Sequence, residues 1–473
     1  MDLTPDRSIA LSSAGAPRPI ALSATLWGTI GVAIVVALPI GGCASIDHGP
    51  DLERAATMVG ERVGTVDHAL EQGEDPWSGT GWDGASPLDA DTAVRTALVR
   101  NRSLRASLER IAVARADLVQ AGLLPNPVLS VALGFPIDGG GGPVTVGAGV
   151  TQSLIALWLR GDRMRAADLE LEREILSVSH EALRLVRDVR AAHLRIVHAE
   201  LELDLLGDEE SLLDRLVGLV DARREAGEAS LIDVNRVALQ RRALHATRID
   251  AERRRDAERL ALLALIGRID APIDWPVVAD ERLHGMLPTE PELIELLDAR
   301  RLDVLAARTH ADALAVAAGL AARQRFAGGA GIGAGYDRDD DGRQHLGPAI
   351  ALEVPIFDTN EASSARAAAL HRQALQEAQA VRDRAIGELR LALADAHRLE
   401  ALRRWCESDL IPAADAQMEL VQRVIDAGEV DATALIEAQR ERNDARVRLN
   451  RIVLDAGLRR LDIEQAVGGG LLP

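Results

Sequence analysis

His180 and Glu181 open the His-Glu-x-x-His pattern by which a helix holds zinc and supplies a general base, but Arg184 stands where the second His is required. His193 and His198 are five residues apart and share no clean helix face, so they read as a solvated or tunnel-facing pair and not as a metal site. Asp337, Asp339, Asp341 and Gly342 match the first half of a calcium loop. Its twelfth position is Pro348, where a bidentate Glu is needed, so a solvated loop is expected. Four consecutive glycines, 139–142, lack the Gly-Lys-Ser/Thr ending of a phosphate loop and read as a hairpin tip. The sequence contains no lysine, which removes P-loop and Schiff-base chemistry together. No nucleophile, base and orienting group stand at a spacing that argues for catalysis. These residues predict no enzyme, no cofactor and no metal centre.

The interest therefore moves from reactive groups to the elements that carry them. Aromatic residues make up only 2% of the 473, while Ala, Leu, Val and Arg dominate, a composition that favours long helices. A formal net charge of -19 has the wrong sign for a phosphate-binding surface, so nucleic acid is not expected as a partner.

Residues 1–42 have the pattern of a signal peptide: Arg7 and Arg18 precede an apolar run from Ala24 to Ile40, too short for a comfortable membrane span. The run stops at Gly41-Gly42-Cys43, small residues before a Cys that resemble a lipobox, so Cys43 is expected to be cleaved free and lipidated (palmitate included). Residues 43–88 read as an extended segment leading away from the lipid. Cys406 is the only other cysteine. Beside Trp405 in a helical stretch, it is expected to be a small buried hydrophobe.

The chain is written twice at an offset of about 200 residues. Arg223-Arg224-Glu225-Ala226-Gly227-Glu228-Ala229 returns as Val424-Ile425-Asp426-Ala427-Gly428-Glu429-Val430, and Asn101 to Ala106 corresponds to Arg301 to Ala306. The repeats are taken as 89–280 and 281–467, with 468–473 as a tail. Each begins with a helix, about 89–122 and 290–325. A Gly-rich alternating stretch follows, about 126–155 and 327–357, and then two long helices, about 161–225 with 229–266 and 361–410 with 413–465. Leu185, Val189, Ala192, Ile196, Ala199, Leu203 and Leu206 are spaced 4-3-4-3-4-3, a coiled-coil seam. A 64-residue helix would reach roughly 95 Å, which suits a tube and not a compact enzyme. The alternating stretches give two hairpins per chain, too few to close a barrel or hide their own edges. A trimer would bring together twelve strands, an even number in the usual barrel range. The expected fold class is mostly α with a small β part: a long coiled-coil α-helical barrel, plus four strands per chain in a shared twelve-stranded outer-membrane β-barrel.

Leu124-Pro125-Asn126-Pro127-Val128-Leu129-Ser130, Pro355-Ile356-Phe357-Asp358-Thr359-Asn360 and Leu287-Pro288-Thr289-Glu290-Pro291-Glu292-Leu293 resemble, in this order, the first strand entry, the second hairpin exit and the opening of the second repeat in TolC-like outer-membrane efflux proteins. The likeness runs over nearly all of 86–466. It departs at Arg325, which stands where the first repeat has Pro125, and in the small number of aromatics near the strands. The resemblance implies a homotrimeric exit duct in the cell outer membrane, lipid-anchored and extending into the periplasm. A periplasmic adaptor and an inner-membrane transporter would dock below. It implies docking turns at Gly227 and Gly428, flanked by Arg224, Glu228 and Glu429. It also implies an acidic ring at the closed tunnel mouth, six and nine positions beyond the second-repeat tip glycine: the nine-position site is Glu437, the six-position site is Ala434, and six positions on from Gly227 in the first repeat stands Asp233. Three carboxylates converging on an axis would favour cations and raise one another's pKa. The rival reading is a lipid-held periplasmic coiled-coil scaffold without a pore. It accounts for the helices and the lipobox, and leaves the two hairpins at matching repeat positions unexplained.

Overall fold

The computed structural model describes residues 46–63, 77, 79, 81–135, 137, 144–279, 287–324, 329–339, 341–353, 356–426 and 432–470. Cys43, the 139–142 glycine run, Gly428 and Glu429 lie outside them. The first element is a helix, α1 (Gly49–Val63), within the stretch expected to be extended. Asp51, Ala55, Ala56, Val59, Gly60 and Val63 form one buried stripe, and that helical periodicity is what an extended reading overlooked. Trp77 and Trp82, from the same stretch, are buried in the core.

The expected helix at 89–122 is two helices, α2 (Ala90–Arg100) and α3 (Arg102–Gly122). Asn101 interrupts them with an extended ψ of 115°, and its side chain accepts the Leu104 N–H as an N-cap. Strands β1 (Val128–Gly134) and β2 (Thr145–Ser153) follow, then the short α4 (Leu154–Trp158) and the long hairpin of α5 (Arg160–Glu225) and α6 (Leu231–Leu265). The second half runs α7 (Glu290–Arg300), α8 (Leu302–Gln324), β3 (Ala330–Arg338), β4 (Gln344–Leu352) and α9 (Glu361–Trp405). It ends with α10 (Ile411–Asp426) and α11 (Ala432–Ala466). Here too the single helix expected at 290–325 is broken, at Arg301, whose ψ of 114° matches that of Asn101.

The end of a long helix expected near 410 is absent. Cys406–Leu410 is a π-helical turn that joins α9 to α10, with the Ile411 N–H reaching back to the Cys406 carbonyl. Pro412 has no N–H to give, and the wider turn accommodates it without stopping the rod. Cys406 is fully buried, as its neighbours in sequence suggested. The α9–α10 rod thus spans 361–426 as α5 spans 160–225, so the two halves match in length.

The 66 residues of α5 correspond to roughly 100 Å of rise. Along the seam Val189, Ala192, Ile196 and Leu206 are buried, whereas Leu185, Ala199 and Leu203 are half-buried at its margin. α5 packs on α6, α11 and α8, and α11 packs on α9, so the long helices stand side by side in the order α6, α5, α11, α9–α10. Three apolar clusters hold them. The largest joins α1, α2, α3 and upper α5 around Trp82, Trp275 and Ile175, the second joins α7, α9 and the end of α11, and the third fills the lower hairpin around Leu213, Val237 and Leu435.

Candidate functional site

The four strands form one antiparallel sheet in the order β1-β2-β3-β4, so β1 and β4 are its edges. Residues paired across strands share a face, and the register sorts the side chains sharply. Leu129, Val131 and Leu133 of β1 lie opposite Val150, Ala148 and Val146 of β2. The same face continues through Ile332, Ala334 and Tyr336 of β3, opposite Ile350, Pro348 and Leu346 of β4. The other face carries Ser130 and Ala132, then Gly147, Gly149 and Thr151, then Gly331, Gly333 and Gly335, then Gly347 and Ala349. One face is thus apolar through its middle, with Gln152 and the Arg338–Gln344 pair at its two ends, and the other is small and polar. Leu129, Val131, Leu346, Ile350 and Leu352 are all exposed on the single chain. At Gly333 the small size is a requirement of the packing, since a Cβ there would collide with the Val150 carbonyl oxygen. Pro348, which cannot donate to a ladder, sits on edge strand β4. With four alternating strands the two edges run in opposite directions, so the β4 edge of one chain matches the β1 edge of another in an antiparallel ladder.

At the far end of α5 the chain turns through Ala226 and Gly227. The Gly227 N–H donates to the Arg224 carbonyl (3.0 Å) and the Glu228 N–H to the Arg223 carbonyl (2.8 Å), the paired bonds of a Schellman stop. Gly227 has φ +80°, which explains the glycine, and nothing lies within 4 Å of where its Cβ would be. Arg224 leans back on Asp221 (3.4 Å), and Glu228 faces Arg223 (3.7 Å). Sequence reasoning missed the apolar residues beside this turn: Leu231 and Ile232 are 63% and 70% exposed at the start of α6. Their adjacency right after the Ser230 cap was the available signal, since two neighbouring positions cannot both face the buried stripe of one helix.

Asp233 is the third residue of α6 and closes a capping box. Its Oδ2 accepts from the Ser230 N–H (3.0 Å) and hydroxyl (2.6 Å), and the Ser230 Oγ accepts from the Asp233 N–H (3.3 Å). These bonds from Ser230 hold its carboxyl below the usual range. Glu437 is exposed, on the face of α11 opposite the buried Leu435 and Ala438. The histidine pair is neither solvated nor tunnel-facing. His193 is buried with Nε2 3.0 Å from the Leu88 carbonyl oxygen, and His198 is buried against Asn450 of α11, whose Nδ2 donates to the His198 carbonyl (2.9 Å). An amphipathic seam needed polar partners that sequence spacing did not show. Asp339 accepts no metal-like cage: its carboxylate pairs with His345 (3.0 Å) across the hairpin, and no group of three or more metal-ligating side chains occurs among the described residues.

No protein-family model and no curated protein matches the sequence. Solved structures do match. CusC, described in terms of folding and transmembrane channel formation, superposes with a TM-score of 0.69 over 83% of this chain and 95% of that one, at 16% identity. The MtrE outer-membrane channel of Neisseria gonorrhoeae, in its open state, gives 0.65 over 83% and 92%, at 22% identity. A membrane protein from Pseudomonas aeruginosa gives 0.68 over 80% and 93%, at 21% identity. This chain has the TolC-like outer-membrane channel fold. The chain spans nearly the whole length of these three structures.

Proposed function

We propose that three copies of this chain form the outer-membrane exit duct of a tripartite efflux or export pump. The two-faced sheet carries the reading. An apolar outer face, a small and polar inner face and two unpaired antiparallel edges suit a shared barrel of twelve strands, in which every backbone group finds a partner in lipid. A coiled-coil scaffold in water has no use for such a sheet. The duct is passive: its partners supply the energy and open it.

The tips support docking of a periplasmic adaptor, with an inner-membrane transporter beyond it. Gly227 leaves its surroundings open, Leu231 and Ile232 offer apolar surface, and Arg224 and Glu228 flank them. By repeat correspondence Gly428 and Glu429 form the second tip. Glu437, and with it Asp233, would supply the acidic ring at the closed mouth. Cys43 would carry the lipid. Two residues, Ala44 and Ser45, stand between it and Ile46, and Asp51 of α1 is clamped by Arg115 near the strand-bearing end of α3 (2.5 and 2.6 Å).

Electron-microscope class averages of detergent-extracted protein test the reading. Three-fold hollow cylinders longer than about 100 Å are expected from the helix rise. Monomers, or solid rods without a lumen, would favour the lipid-held scaffold.

A further inference from the structure

Glu209 of α5 is only 7% exposed and stands on the buried face of that helix between Leu206 and Leu213, both members of the lower apolar cluster. Among the described residues its hydrogen-bond partner is Asn443 of α11, itself 7% exposed, whose Nδ2 donates to Glu209 Oε2. The pair therefore joins the first repeat to the second across the seam of the long helices. Among the described residues no cation hydrogen-bonds to this carboxylate. Arg440 and Asp444 of α11 flank it with opposite signs. From α6, His245 and Arg248 are engaged with Glu210 on the neighbouring face, and from α10, Asp415 is held by Arg442 and Arg446.

We propose that Glu209 and Asn443 form a proton-operated catch between the two repeats, closed when Glu209 carries a proton and loosened when it gives it up. The protonated acid donates its O–H to Asn443 Oδ1 while accepting from Nδ2, giving two bonds in place of one. Loss of the proton leaves a buried carboxylate with one neutral donor. Burial pushes the Glu209 carboxyl up, against the opposing bond from Asn443. A folded-state pKa above the unfolded one means the stabilisation is complete at acid pH and is lost as pH rises through the elevated value. The catch stands about 24 Å above the tip, sixteen residues before Glu225, where loosening frees the lower hairpins of the two halves from each other.

Hydrogen–deuterium exchange on the intact protein in detergent, corrected for intrinsic rates, tests this. In the wild type, protection of 205–213 and 439–447 should fall as pH rises, by up to about tenfold per pH unit for one linked proton. Glu209→Gln, which keeps the amide pairing without a titrating group, should hold the acid-level protection throughout. Asn443→Asp, which places a second carboxyl on the first, should move the transition to higher pH. A flat wild-type profile, or a Glu209→Gln profile that follows the wild type, overturns the proposal.

Discussion

Gly468 is packed so closely on Arg300 that a Cβ on it would fall 2.6 Å from the Arg300 carbonyl oxygen, and its φ is +88°. Gly267 makes the same approach to the Arg100 carbonyl, at 2.7 Å and φ +68°. Each glycine closes a long hairpin with a Schellman stop and butts against the helix break that opens its own repeat. Next to these contacts the Asn101 amide donates to the Leu265 carbonyl (2.8 Å), and the Arg301 guanidinium to the Ala466 carbonyl (3.5 Å). The repeat is therefore a geometric one, with the same backbone closure made by different side chains.

The closures rank the glycines. Gly267→Ala and Gly468→Ala combine a left-handed conformation, about 1–2 kcal/mol for an L-residue, with a backbone collision that must be relieved by movement. Gly227→Ala carries the conformational cost alone. Thermal unfolding in detergent should place Gly227→Ala well above the other two, which lose more than about 2 kcal/mol.

The faces of the sheet make opposite demands. Val131→Arg on the apolar face should cost about 2–4 kcal/mol if that face meets the lipid midplane, and should abolish heat-modifiable migration on gels. Ala349→Arg, which projects over Gly333 on the small face, should leave that migration intact. Equal loss from both would sink the barrel.

Asp233 and Glu437 separate by what each now holds. Asp233→Asn should loosen the first turn of α6, read as faster amide exchange at 231–234. Because bonds from Ser230 depress the native carboxyl pKa, its contribution is present above the usual carboxylate range and lost as pH falls through the lowered value. Glu437→Gln should leave stability within about 0.5 kcal/mol, as exposed substitutions do, while weakening cation preference in bilayer conductance. No change in conductance would remove Glu437 from the gate.

His198 should act on the acid limb. Burial lowers its pKa, against the bond its ring Nδ1 makes to the accepting Asn450 Oδ1, so the stabilisation it contributes is complete above about pH 6.5 and is lost as pH falls through the lowered folded-state value. His198→Gln should flatten the fall in thermal midpoint on acidification. Glu209 has the opposite sign, so the two substitutions should tilt the pH profile in opposite directions.

Sequence alone determined the order of strands and long helices in each half, the strand regions and the lengths of the first-half hairpin helices, because periodicity, glycine placement and the doubled pattern are local signals that survive without a fold; it misplaced the division of the second-half pair. It also marked the Gly227 turn, since only glycine readily takes that φ. The breaks at Asn101 and Arg301 and the π turn before Pro412 were decided by tertiary structure. Each depends on a partner far along the chain or on a hydrogen-bond shift that leaves composition unchanged. The same holds for the burial of His193, His198 and Glu209: a polar residue in a helical pattern looks solvated until a second helix places Leu88, Asn450 or Asn443 against it. Only the strand register separated the apolar face from the small one, because it fixes which alternating positions of four distant strands lie side by side.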